Sequence, residues 1–314
     1  MSNTVFGSRI LDEVKKQVVG KDTTLGLILC ALLSGGHVLI DDIPGVGKTT
    51  MAVAFERAMG LTGRRMQFTP DVLPSDIVGF SVYDRETGQM DFRKGAVFCN
   101  LFLADEINRT SPKTQSALLE CMEEHQVTVD GRTYALPDPF FVIATQNPTG
   151  SVGTQKLPES EIDRFLISVS MGYPTLEEER EILKRKNQSA GEVMRVTDRT
   201  VILQMQQEVR EIFVHDAVND YMVRLVQATR NNSYVELGGS PRSTVALMQM
   251  SMAYAYLSGR SYVLPEDAAA VFIPVMNHRI QTNRRARLDK VSVEDILNSV
   301  LKKEKRPTER RRAD

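Results

Sequence analysis

Phosphate chemistry is the first possibility the residues raise. Val38-Leu-Ile-Asp-Asp-Ile-Pro-Gly-Val-Gly-Lys-Thr-Thr50 reads as a strand, a glycine-rich turn and a helix start. Gly45 and Gly47 allow successive backbone N–H groups to point inward as an anion nest, and the helix beginning near Lys48 adds its positive end. Pro44, Gly45, Val46, Gly47, Lys48, Thr49 and Thr50 would form the cradle. Lys48 would meet the β- and γ-phosphates, and the Thr49 hydroxyl would ligate Mg²⁺. The first position of the usual GxxxxGK[ST] spacing is Asp42 here rather than glycine. Downstream, Asn100-Leu-Phe-Leu-Ala-Asp-Glu106 is an apolar strand ending in two acids. Asp105 would hold Mg²⁺ through water, and Glu106 would polarise an attacking water. Phe140-Phe-Val-Ile-Ala-Thr-Gln-Asn-Pro148 is a second buried strand with a polar end, where Asn147 could bond the γ-phosphate or the water.

These motifs need a sheet that brings strand ends together. Short, mostly apolar segments at 37–40, 64–68, 101–104, 140–145 and 166–169 alternate with helical stretches. That pattern predicts a mostly parallel five-stranded sheet sandwiched by helices. Two helices are expected before it, one capped by Ser8 and ended by Gly20, the next over Thr23–Ser34. Thr87-Gly88 and Asp130-Gly131, each between extended flanks, predict hairpins within 80–97 and 126–136. After Met171-Gly172-Tyr173-Pro174 the strands are expected to stop. Helices are read over 176–186, 200–213, 216–231, 243–258, 265–278 and 293–301.

The chain has 314 residues, enough for two domains. It is 42% hydrophobic and 25% charged, as ordinary globular proteins are. Its net charge of −1 gives no global pull toward nucleic acid or acidic membrane. Trp is absent, so stacking platforms for single-stranded bases are not a theme. Residues 302–314 carry seven Lys/Arg against three acids, net +4, and read as a disordered basic tail. Cys30, Cys99 and Cys121 are an odd set without CxxC spacing, which argues for a reducing compartment. The first residues lack the apolar core of a secretory leader, and the longest apolar stretch is far short of a bilayer span. A cytoplasmic location without membrane insertion is therefore expected. The four histidines are scattered, so no metal site beyond Mg²⁺ is expected.

Taken together, the motifs resemble those of AAA+ ATPases, and within them the MoxR family. The resemblance rests on DDIPGVGKTT, QFTPDVLPSDIVG at 67–79, GAVFCNLFLADEINRTSPKTQSALLECMEE at 95–124 and QVTVDGRTYALPDPFFVIATQNP at 126–148. It continues through LPESEIDRF at 157–165, GGSPRS at 238–243 and VLPEDAAAVFIPVMNHRI at 263–280. Acidic residues are at home in this family at the position of Asp42. The resemblance implies an α/β P-loop AAA+ module over residues 1–172, with two inserted hairpins. An all-helical lid over 173–301 and the tail from 302 follow. It implies that Arg164 matches the arginine finger that reaches a neighbour's nucleotide, and that Arg242, opening a lid helix after Pro241, faces the γ-phosphate. It further implies Mg²⁺-dependent hydrolysis of ATP to ADP in a ring, usually a hexamer. That work would serve chaperone-like maturation of protein clients, often with a partner carrying a von Willebrand factor A domain. Two other readings are a DNA-directed motor gripping a strand with its hairpins and a nucleotide-gated scaffold with little turnover. In the first hairpin Asp84, Glu86 and Asp91 balance Arg85, Arg93 and Lys94, which argues against an electrostatic groove for nucleic acid.

Overall fold

A computed structural model describes residues 3–43, 45–147, 157–187 and 191–307. Helices α1 (Thr4–Lys15) and α2 (Asp22–Leu33) lead into β1 (Val38–Asp41), α3 (Lys48–Met59) and β2 (Gly63–Gln67). Then come α4 (Pro74–Val78), the hairpin β3 (Gly79–Asp84) and β4 (Gln89–Lys94), β5 (Leu101–Asp105) and α5 (Pro112–Glu124). A second hairpin, β6 (Gln126–Val129) and β7 (Arg132–Ala135), precedes β8 (Phe141–Gln146), α6 (Glu159–Ile162) and β9 (Ile167–Val169). The sheet order is β2-β5-β8-β1-β9, with every pairing parallel. A parallel sheet places all strand C-termini on one edge, and the loops that leave that edge form the binding crevice.

Side-chain alternation sorts the strands into two cores. Val38, Ile40, Leu101, Leu103, Phe141 and Ile143 face one apolar cluster with α1, α2 and α3. Leu39, Phe102, Ala104, Val142 and Ala144 face the other, filled by Phe68, Leu118, Met122 and Phe165. The first cluster does not end at the module. It runs on into Tyr221, Leu247 and Phe272 of the helical region, so lid and module share a core.

The helical region comprises α7 (Leu176–Asn187), α8 (Arg199–Arg210), α9 (Asp216–Arg230), α10 (Pro241–Leu257), α11 (Pro265–Met276), α12 (Arg284–Leu288) and α13 (Val293–Lys303). Strands do not stop at Pro174, contrary to the sequence reading. β10 (Val235–Leu237) pairs antiparallel with β11 (Gln281–Thr282). Segments this short and this far apart carry no local alternation to read. Ser8 does not cap the first helix. Asn3 stands at that end, fixed by hydrogen bonds from its N–H and Nδ2 to Glu208 of α8, while the Ser8 hydroxyl donates to the Val5 carbonyl inside the helix. At the other end, α13 continues through Lys302 and Lys303, and Arg306 pairs with Glu266 at 3.2 Å. The basic segment is thus docked as far as it is described, and residues 308–314 lie outside the described residues.

Both hairpins form where the Gly turns are. Asp130 and Gly131 both take positive φ, 51° and 73°, as a two-residue turn of this hand requires. Phe92 of the first hairpin stacks on Tyr134 of the second at 4.0 Å between ring centroids, which joins the two insertions. The three cysteines are free and buried, and burial pushes each thiol up to about 12. Among the described residues no helix is long and apolar enough to cross a membrane.

Candidate active site

The strand ends β1, β5 and β8 meet on one edge, and the sequence motifs meet there with them. Gly45 and Gly47 adopt φ of 87° and 90°, the left-handed backbone that turns their N–H groups inward. A Cβ on either would touch nothing within 4 Å, so conformation rather than space demands glycine. Lys48 opens α3, and Thr49 and Thr50 complete its first turn. Pro44 lies outside the described residues. Lys48 is buried, and its Nζ donates to the Asp42 carbonyl at 2.8 Å, folded back over its own loop. Burial pushes the ammonium pKa down, against the pull of Asp42, Asp105 and Glu106.

Asp42 explains its own departure from the glycine pattern. Its side chain is buried and accepts four hydrogen bonds: from the N–H groups of Ile43 (2.9 Å), Met171 (2.6 Å) and Gly172 (2.7 Å) and from the Ser170 hydroxyl (3.1 Å). Both carboxylate oxygens are taken up by these bonds. It pins the start of the phosphate loop to the segment that leads into the helical region.

On the neighbouring strand end, the Thr145 hydroxyl donates to Asp105 Oδ1 at 2.6 Å and accepts the Glu106 N–H at 2.9 Å. Arg65 holds the other Asp105 oxygen at 2.8 Å. Glu106 itself is left-handed, φ 57° and ψ 50°, a strained state for a residue with a Cβ and one that clusters at functional sites. Its Oε1 accepts from Asn147 Nδ2 at 2.9 Å and its Oε2 from Arg109 at 2.7 Å. Burial raises the Glu106 pKa, but the bonds from Arg109 and Asn147 outweigh it and leave the carboxyl below its ordinary range. Asn147 is clamped by Asn108, whose side chain bonds both its backbone carbonyl (3.0 Å) and its N–H (3.3 Å). Asn147 Oδ1 is buried and has no hydrogen-bond partner among the described residues. No group of three His, Cys, Asp or Glu able to hold a metal occurs among the described residues. One carboxylate and a hydroxyl suit Mg²⁺ that arrives with phosphate oxygens, not a metal caged by protein.

Arg164 and Arg242 stand elsewhere. They line a cavity with Gly35, Gly36 and His37, which precede β1, and Leu166, which precedes β9. This is the starting edge of the sheet. The phosphate loop leaves the opposite edge, a strand length of about 13 Å away at ~3.3 Å per residue. The sequence reading put Arg242 on a γ-phosphate. The structure keeps it from its own subunit's phosphate loop and sets it beside Arg164, both guanidiniums on Glu123. The reason is the shared core, which seats the lid against α1, α2 and the start of the strands.

Sequence reasoning missed Arg65, Asn108, Arg109, Glu123 and Thr145. Asn108 and Arg109 follow the acidic pair after Ile107, and Thr145 precedes Asn147 by two, so position beside a motif was the available signal. Arg65 and Glu123 had none.

A parallel sheet carrying a phosphate loop, an acidic strand end and a polar strand end, followed by a helical lid, defines a P-loop module of the AAA+ class. Residues 37–167 match the ATPase family associated with various cellular activities (AAA), and residues 227–300 match the AAA lid domain. The chain is 41% identical to chaperone MoxR1 of Mycobacterium tuberculosis over 302 residues, 93% of this chain and 80% of that one. It is 43% identical to the uncharacterized protein YeaC of Bacillus subtilis over 304 residues, 96% and 95% of the two chains. A crystal structure of a Cytophaga hutchinsonii protein superposes with a TM-score of 0.90 at 36% identity, covering 98% of this chain and 96% of that one. The chain belongs to the MoxR family of AAA+ ATPases.

Proposed function

We propose that the chain hydrolyses ATP to ADP and phosphate in a homo-oligomeric, hexameric ring, and that the ring drives chaperone-like maturation of protein complexes. The observation that supports this is the split site. The glycine loop with Lys48, and Asp105, Glu106 and Asn147, occupy one edge of the sheet, and Arg164 and Arg242 occupy the other. A ring in which each subunit presents its starting edge to the next subunit's phosphate loop completes every site.

The N–H groups around Gly45 and Gly47 bind the phosphate chain, and Lys48 leaves the Asp42 carbonyl for the β- and γ-phosphate oxygens. Glu106 takes up a proton from the attacking water, and Asn147, whose Nδ2 holds that carboxylate, stands at the same strand end to bond the γ-phosphate or the water. Arg164 and Arg242 of the adjoining subunit, the one whose starting edge faces this site, meet the charge that grows on the γ-phosphate oxygens, a contribution worth ~10³–10⁵ in rate for a finger supplied in trans. Thr49 and Asp105 would hold Mg²⁺, which neutralises phosphate charge when bound. The clients are protein complexes, with a von Willebrand factor A domain protein as the expected partner, in the cytoplasm.

A DNA-directed motor gains no support from the first hairpin, where Arg93 is paired with Asp91 at 3.2 Å. The test is molar mass by light scattering for wild type and Glu106→Gln, with ADP and with Mg·ATP, reading phosphate release from the same samples. Assembly of Glu106→Gln near six times 35.2 kDa with ATP, alongside turnover by wild type only, is expected. Monomers in every condition with no phosphate release would overturn the reading.

A further inference from the structure

The two arginines at the starting edge are gathered by one carboxylate. Glu123, in the last turn of α5, accepts from Arg242 Nη2 at 2.8 Å through Oε1, and its Oε2 lies 3.3 Å from Arg164 Nε. It therefore bridges a guanidinium of the ATPase module and one of the lid. Beneath this bridge the two backbones are already tied together. Asp163, next to Arg164, accepts from Arg279 Nε at 2.6 Å and from the Ser240 hydroxyl at 3.1 Å, and Ser240 lies two residues before Arg242. Arg279 is buried and also donates to the carbonyls of Asp163, Phe165 and Leu166. With both backbones clamped, only the directions of the two long side chains remain to be set. Two guanidiniums close together repel. A carboxylate between them offsets that repulsion and orients both planar heads. The bridge is half-exposed, with Glu123 at 41% and Arg242 at 50% side-chain exposure, so its contribution to stability is small. Orientation is what it supplies.

Resting on the ring reading above, we propose that Glu123 is a positioning residue for phosphoryl transfer in the neighbouring subunit. It sets Arg164 and Arg242 on a common point, from which both turn to the γ-phosphate oxygens of the nucleotide held by the next copy. Glu123 touches no nucleotide itself. Its effect is therefore felt at the neighbour's site and not at its own.

The experiment compares full-length Glu123→Ala and Glu123→Gln with wild type and Arg164→Ala. It reads thermal midpoint, affinity of the subunit for a fluorescent ATP analogue, kcat and KM of the assembled ring, and turnover after mixing with Glu106→Gln subunits. Glu123→Ala should lose kcat on the order of ten- to a hundredfold, the scale of misplacing a catalytic group by about an ångström. Its thermal midpoint and nucleotide affinity should stay at wild-type values, with Glu123→Gln falling between. Glu106→Gln subunits keep Glu123 but have a silent site of their own, so adding them should raise turnover per Glu123→Ala subunit. Wild-type kcat for Glu123→Ala while Arg164→Ala is silent would overturn the proposal and leave the ring reading standing. A loss that comes with reduced affinity or thermal midpoint, or that Glu106→Gln subunits fail to rescue, would also overturn it, because Glu123 would then act within its own subunit. Full activity of Arg164→Ala would remove the ring reading beneath it.

Discussion

Replacing Asp42 by alanine tests whether the residue that breaks the glycine pattern holds the phosphate loop in place. The carboxylate is buried and accepts four hydrogen bonds, three from backbone N–H groups. A hydrogen bond to a charged group contributes about 1.5–3 kcal/mol, and a buried donor left alone costs about 1–3 kcal/mol. Water entering the vacated space recovers part of this, so Asp42→Ala should lose about 3 kcal/mol. Asp42→Asn keeps one acceptor oxygen without the charge and should lose about half as much. Urea unfolding reads both, as a lower midpoint at unchanged slope. Freed from Met171 and Gly172, the loop samples conformers without the nest. If one in ten remains competent, affinity falls about tenfold. An Asp42→Ala protein within about 0.5 kcal/mol of wild type, the range of a featureless surface change, and with unchanged ATP affinity would refute the reasoning.

Other perturbations follow from the same geometry. Burial holds the His37 imidazole down at about 4, while the unfolded imidazole protonates near 6.5. The unfolded state binds more protons between these values, so stability should fall as pH drops from 6.5 to 4, by on the order of 3 kcal/mol from this group. His37→Gln should flatten that slope in urea unfolding across the same pH range, and an unchanged slope would contradict it. Arg109→Ala removes a bond that keeps the Glu106 carboxyl low. The acid limb of the pH–rate profile should then move to higher pH, and an unmoved limb would separate Glu106 from the proton transfer. Lys48→Ala should abolish binding of a fluorescent ATP analogue, whereas Glu106→Gln should bind it as wild type does and release no phosphate.

Much of this was legible in the chain because the motifs are local. A glycine turn between strand and helix, or two acids ending an apolar strand, fixes its own geometry within a dozen residues. Four of the five sheet strands lie where apolar runs put them, and both hairpins lie where the Gly turns put them; β2, Gly63–Gln67, is largely polar and was placed by the alternation of segments with helices. What escaped depends on distance in sequence. β10 and β11 exist because they pair with each other, and Asn3 starts α1 because Glu208 receives it. Asp42 looked like a departure until Met171 and Gly172 came to it. The place of Arg242 turned on the docking of the lid. Its sequence neighbours Gly239-Ser-Pro specify a helix start, but only the core shared by lid and module decides which edge of the sheet that helix faces.

The central claim is that each site is completed by the next subunit, and mixing two silent variants tests it directly. Arg164→Ala keeps an intact phosphate loop and Glu106, and Glu106→Gln keeps an intact arginine edge. Phosphate release is measured for each alone and for mixtures across all ratios. In a head-to-tail ring of randomly mixed subunits, an equal mixture regenerates about one quarter of the sites, so turnover should appear where neither protein has any. Silence at every ratio in rings that contain both variants, or wild-type turnover by Arg164→Ala alone, would contradict the account.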